Sequence, residues 1–157
     1  IFEIYNNSII HGSCSHVYCC GEYIPSKSNL IPPTLDMTIV NLGTTIEDNV
    51  NNYMTILNKE QMSSCECIEW AIMEGNTTKK VPGGLGFPMI CNFIFRNHGK
   101  LQIISSDAYW EFSYNGSITR KMRNRLPGTI VNMEFNINDD TIYSVGEEDR
   151  MNTDNIL

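Results

Sequence analysis

The feature that most constrains this chain is Val81-Pro82-Gly83-Gly84-Leu85-Gly86-Phe87, a glycine cluster that leaves a loop and opens an apolar helical run ending at His98-Gly99. Without a Cβ, glycine lets the backbone approach a neighbour closely, and the free N–H groups of the next helix's first turn point at any anion placed there. Such a cluster is either a phosphate cradle or plain punctuation between elements. Its surroundings bear on the choice.

At 157 residues, with 41% hydrophobic side chains, the chain is one domain large enough for a real core. Eighteen acidic against eleven basic residues give a net charge of −7, which argues against a nucleic-acid backbone as partner. An anionic ligand would therefore be held by local donors or a metal. No stretch approaches the ~20 apolar residues of a membrane span, and no secretory signal opens the chain, so the reading is cytoplasmic with no membrane insertion. In that setting the six cysteines are expected as free thiols. The chain does not start with Met and its first residues read as mid-helix, so a piece of a longer protein is expected, with a further domain or a protein partner.

Ile1 to Gly12 reads as a helix stopped by Gly12. Glu3, Asn7 and His11 recur at i, i+4 and i+8 and so share one polar face, which is either solvated or functional. Asn6-Asn7-Ser8 is a costly triplet for a helix interior, which favours function. His11, Cys14, His16, Cys19 and Cys20 raise a zinc site, but the paired spacings zinc needs are missing, and Val17-Tyr18-Cys19-Cys20 reads as a strand. A second strand, Leu35 to Asn41, ends at Gly43. Asn49 to Asn76 gives one or two amphipathic helices. The polar loop Gly75 to Lys80 then runs into the glycine cluster and is positioned to close over whatever the glycines hold. Leu85 to His98 forms a helix with Gly99 as its C-cap. Strands are predicted over 100–105, 109–114 and 117–121, the last two joined at Asn115-Gly116, and over 129–137 after a turn at Leu126-Pro127-Gly128. Residues 138–157 read as an acidic tail beyond a domain spanning 1–137.

Taken together, these residues resemble the Bergerat-fold ATPases. This GHKL superfamily contains the ATPase component of DNA gyrase, heat-shock chaperone ATPases, mismatch-repair ATPases, sensor histidine kinases and anti-sigma-factor kinases. Glu3 to His11 looks like the family's first box, Asn41-Leu42-Gly43-Thr44-Thr45-Ile46 like its second, Gly83-Gly84-Leu85-Gly86 like its third, and Pro127-Gly128-Thr129 like its closing strand. The order and intervals also fit. The resemblance implies a two-layer α/β (α+β) sandwich, with a mixed, largely antiparallel sheet covered on one face by helices.

It also implies ATP (or ADP) and Mg²⁺ as cofactors, used for hydrolysis or for phosphoryl transfer to a protein partner. By resemblance Asn7 would hold Mg²⁺ and Glu3 would be the general base. Asn41, Gly43 and Thr129 would surround adenine, with Ile46 against the ring. Gly84, Leu85 and Gly86 would present N–H groups to the phosphates, helped by Lys79 or Lys80. Thr77 and Thr78 are further loop candidates. Two residues depart from the pattern: Asn41 stands where the family has Asp, and Thr45 where it has a second glycine. The first exchanges a charge-assisted hydrogen bond of about 1.5–3 kcal/mol for a neutral one of about 0.5–1.5. The alternative reading is a degenerate domain of this fold acting as an interaction module.

Overall fold

The structure, a computed structural model, describes residues 1–26, 32–78, 84 and 86–138. In chain order the elements are α1 (Phe2–Gly12), β1 (Val17–Ile24), β2 (Thr34–Leu42), α2 (Ile46–Ile56), α3 (Ser64–Ile72), α4 (Gly86–Asn97), β3 (Lys100–Ser113) and β4 (Gly116–Asn136). The strands form one sheet in the order β1-β2-β4-β3. Each neighbouring pair is antiparallel, so among the described residues the sheet is antiparallel throughout rather than mixed.

Strand alternation explains which face the helices cover. In β3, Leu101, Ile103 and Ser105 are buried at odd positions, then Ser106, Ala108, Trp110 and Phe112 at even ones. The side-chain period of two cannot produce that switch by itself. A register shift at Ser105/Ser106, with Ser106 at φ 56°, resets the parity and keeps both halves of the strand turned to one core. On that face Ile4 of α1, Ile68 and Ile72 of α3, and Cys91 and Ile94 of α4 pack against Ile39, Trp110, Phe112, Val131 and Met133. Each large apolar side chain fully buried there contributes about 1.5–3 kcal/mol. The result is an α+β arrangement of helices on an antiparallel sheet.

The same irregularity corrects the strand assignments. Strands expected over 100–105 and 109–114 are one strand with a bulge, and those over 117–121 and 129–137 are one 21-residue strand. Pro127-Gly128, read as a turn, lies inside β4 opposite the β3 irregularity. Gly128 is required there, because a Cβ would stand 2.1 Å from the Asn41 carbonyl on β2. At the end of α4 the left-handed residue is His98 (φ 56°), not the expected Gly99. Gly99 is needed instead for close approach to the Glu134 carbonyl, 2.2 Å from where its Cβ would be.

Two helices start on capping boxes. Thr45 caps α2, its hydroxyl accepting from the Asp48 N–H at 3.1 Å while its own N–H donates to the Asp48 carboxylate at 3.0 Å. Ser63 and Glu66 do the same for α3. Val50 and Met54 of α2 meet Cys67 of α3 in a small second cluster. Among the described residues no helix is long and apolar enough to cross a membrane. Of the segment expected as an acidic tail, only Asn138 lies within the described residues.

Candidate functional site

The polar face of α1 borders a cavity, with Glu3 exposed at its rim and Asn7 and His11 half-buried. Glu3, Asn7 and His11 line a cavity of about 470 Å³ enclosed by α1, the end of β2, the starts of α2 and α4, α3, and the loop after α3. Ser8, beside them, turns back on its own helix and donates to the Ile4 carbonyl at 3.0 Å. The helical repeat of one residue every 100° is what delivers three side chains four apart to one wall.

Opposite, the strand order β2-β4-β3 sets Asn41, Thr129 and Ser105 in one row, through the pairings Asn41↔Thr129 and Ser105↔Thr129. Ser105 is the hub of that row. Its hydroxyl accepts from the Ile46 N–H at 2.9 Å, donates to the Gly128 carbonyl at 3.1 Å, and lies 2.8 Å from the Thr129 hydroxyl. The α2 start is tied to α1 as well, with Thr44 N–H donating to the Gly12 carbonyl at 2.8 Å and Asn49 Nδ2 to the His11 carbonyl at 2.9 Å. Asn41 is 2% exposed, and its Nδ2 is the one buried side-chain nitrogen or oxygen without a hydrogen-bond partner among the described residues.

The third wall is the loop after α3 and the first turn of α4. Asn76 Nδ2 donates to the Trp70 carbonyl at 3.0 Å, and Gly75 N–H to the Gly84 carbonyl at 3.3 Å, which closes the base of the loop. Gly84 has φ +85°, and a Cβ on it would meet the Asn76 carbonyl at 2.5 Å, so only glycine fits without displacement. Gly86, where α4 begins, faces α1: a Cβ there would lie 3.4 Å from Glu3 Oε2 and 3.8 Å from Asn7 Nδ2. A helix N-terminus, a carboxylate and an amide thus converge on one spot.

Of the residues singled out in the sequence, Glu3, Asn7, Asn41, Ile46, Thr77, Thr78, Gly84, Gly86 and Thr129 all line the cavity. Gly43 does not: it packs on α1, where its Cβ would stand 2.2 Å from the Gly12 carbonyl, and its N–H donates to the Pro127 carbonyl. Its glycine serves the close passage of two backbones. Lys79, Lys80 and Leu85 lie outside the described residues. Thr45 turns away from the cavity into its capping box. Asn49, Trp70, Asn76, Phe87 and Met89 also line the cavity. Phe87 ends the glycine cluster and Asn76 lies in the loop expected to close over it, whereas Asn49, Trp70 and Met89 belong to no motif. Trp70 and Asn49 are assigned in the sequence to amphipathic helices, whose inward face does not distinguish core from cavity.

Thiol chemistry has little support among the buried cysteines. All six are free, and burial pushes Cys67 and Cys91 up to about 12, with the Glu47 and Glu66 carboxylates adding to the effect at Cys67. Both are protonated at neutral pH and therefore inert. Asp48 is held below its ordinary value of 3.8: burial acts to raise it, but hydrogen bonds from Thr45 and the Arg125 guanidinium together outweigh that effect. Comparison with protein-family models, with curated proteins and with solved structures finds no match for this chain.

Proposed function

We propose that this chain is a Bergerat-type ATP-binding domain that uses Mg²⁺·ATP for hydrolysis or for phosphoryl transfer to a protein partner. The observation that carries the reading is convergence. Residues from four separated boxes, Glu3 and Asn7, Asn41, Gly84 and Gly86, and Thr129, all line a single cavity. They bring a carboxylate, two amides and a helix N-terminus to it, which is the chemistry a nucleoside triphosphate needs.

The cation fits the same residues. Among the described residues no group of three or more His, Cys, Asp or Glu side chains is gathered, so a protein cage is not on offer there. Mg²⁺ characteristically takes one or two protein oxygens and completes its shell with water and phosphate. The Asn7 amide, which lines the cavity with Glu3 near the start of α4, would supply one such oxygen. When bound, the metal would neutralise charge on the triphosphate. Glu3 accepts the proton of the attacking water or hydroxyl at its carboxylate, and the backbone N–H groups at the start of α4 hold the phosphates.

Incubation with γ-labelled ATP and Mg²⁺, followed by a search for free phosphate and labelled protein, tests the reading. Asn7→Ala is expected to abolish metal-dependent binding and Glu3→Ala to spare binding while removing turnover. Equal loss of binding in both would refute that division of labour. A second reading, a non-catalytic interaction module of the same fold, draws on Asn41 alone, since Thr45 is accounted for by its cap. It predicts no nucleotide binding.

A further inference from the structure

We infer that the flank of α1 turned away from the cavity, together with the bare helix-side face of β1, is a docking surface for a second copy of this chain. The side chains of α1 divide three ways. Ile4, Ser8 and Gly12 are buried, and Glu3, Asn7 and His11 border the cavity. Phe2, Tyr5 and Ile9, spaced by three and four, form a third stripe about half a turn around from the cavity residues, and they are 73%, 41% and 50% exposed. Glu3 and Asn7 face the start of α4, which packs on β3 and β4, so the opposite flank of α1 looks toward β1 at the sheet's edge. There the layer of helices ends. Cys19, Gly21 and Tyr23 of β1 stand opposite Ile39, Met37 and Leu35 of β2, on the face that the helices cover elsewhere, yet all three are exposed.

This surface has the size and form of a dimer interface. Its exposed side chains come to roughly 500 Å², taking aromatic residues at about 150–250 Å² each. That is in the upper range of the largest patch on a typical monomer and close to the ~600 Å² per partner at which stable interfaces begin. The surface is also self-complementary. Phe2, Tyr5 and Ile9 make a ridge, and on the β1 floor Gly21 leaves a hollow for a ring between Cys19 and Tyr23. A twofold axis seats each ridge on the floor of the other copy. The charge pattern favours a second copy over a charged partner: none of these six residues is charged, and Glu22, the one charge on β1, pairs with Asp36 on the other face of the sheet. A chain of net charge −7 repels itself over most of its surface, and this region escapes that repulsion.

The test is sedimentation equilibrium of the whole chain over a wide concentration range, where a monomer–dimer equilibrium is expected. Phe2→Asp and Tyr23→Asp each put a carboxylate into the seam and should raise the dissociation constant about thirtyfold or more, the worth of a hot-spot contact. Both positions are exposed, so the fold is retained, which unchanged circular dichroism of the variants verifies. Ile118→Asp, at a similarly exposed apolar residue on β4 outside the patch, should leave the dimer intact. A wild type that stays monomeric at every concentration overturns the inference, whether the patch is bare or serves a different partner. So does a dimer that withstands both patch variants, or one that Ile118→Asp weakens as much as they do.

Discussion

The end of β2 and the start of α2 each bury a polar side chain four residues apart, and the two are treated in opposite ways. Asn41 and Thr45 are both 2% exposed. Thr45 has every reason to be inside, since its hydroxyl and its N–H are both paired with Asp48 in the cap of α2. Asn41 lines the cavity, and its Nδ2, packed beside Gly12, has no hydrogen-bond partner among the described residues. Burial of polarity therefore does not mark a site by itself. Whether that polarity is satisfied by the protein does.

If this distinction holds, cavity-facing polar groups carry function and inward-facing ones carry stability. The largest expected effect is at Glu3, where Glu3→Ala should lower turnover by about 10²–10⁴-fold, the usual worth of a general base, with little change in melting temperature. A variant that melts early with unaltered turnover would place Glu3 in the stability class and break the comparison. Next is Asn41→Leu, near in size and without the orphan amide. Removing an unsatisfied buried polar group should stabilise by up to about 1–3 kcal/mol in denaturant unfolding, while nucleotide affinity falls. Destabilisation instead would mean that Asn41 has a partner inside the protein.

Thr45→Val is the converse experiment. Loss of the cap should cost about 1 kcal/mol of stability and leave nucleotide affinity unchanged. The smallest effect is in acid. Because the Asp48 carboxyl is held below 3.8, its contribution is present above its unfolded value and is lost as pH falls through the lower folded value. Stability measured downward from pH 5 should therefore decline less steeply in Asp48→Asn than in wild type, and parallel curves would remove Asp48 from the account.

Much of this arrangement could be read in the chain beforehand, and the exceptions have a common cause. The helix at 2–12 and the hairpin at Asn115-Gly116 follow from local periodicity and turn chemistry, which depend only on near neighbours. The strand breaks placed near 106 and at 127–128 were bulges, because a parity switch along one strand looks the same as a new strand until its partner is known. Glu3, Asn7, Asn41 and Thr129 were legible as site candidates through the resemblance to the Bergerat boxes, and all four line the cavity. Asn49 and Trp70 were not, since their place depends on how α2 and α3 lean on α1 and β3. Gly43 was legible as a necessary glycine but not for its reason, the passage of the Gly12 carbonyl across the chain.

Whether the cavity takes a nucleotide can be read directly at Trp70. Of the two tryptophans, Trp70 lines the cavity and Trp110 is buried in the core at 1% exposure. Titrating the domain with Mg²⁺·ATP should give a saturable change in tryptophan fluorescence that disappears in Trp70→Phe and is lost with metal-dependent binding in Asn7→Ala. A flat titration in wild type, with ATP binding also undetected by calorimetry, would contradict the account.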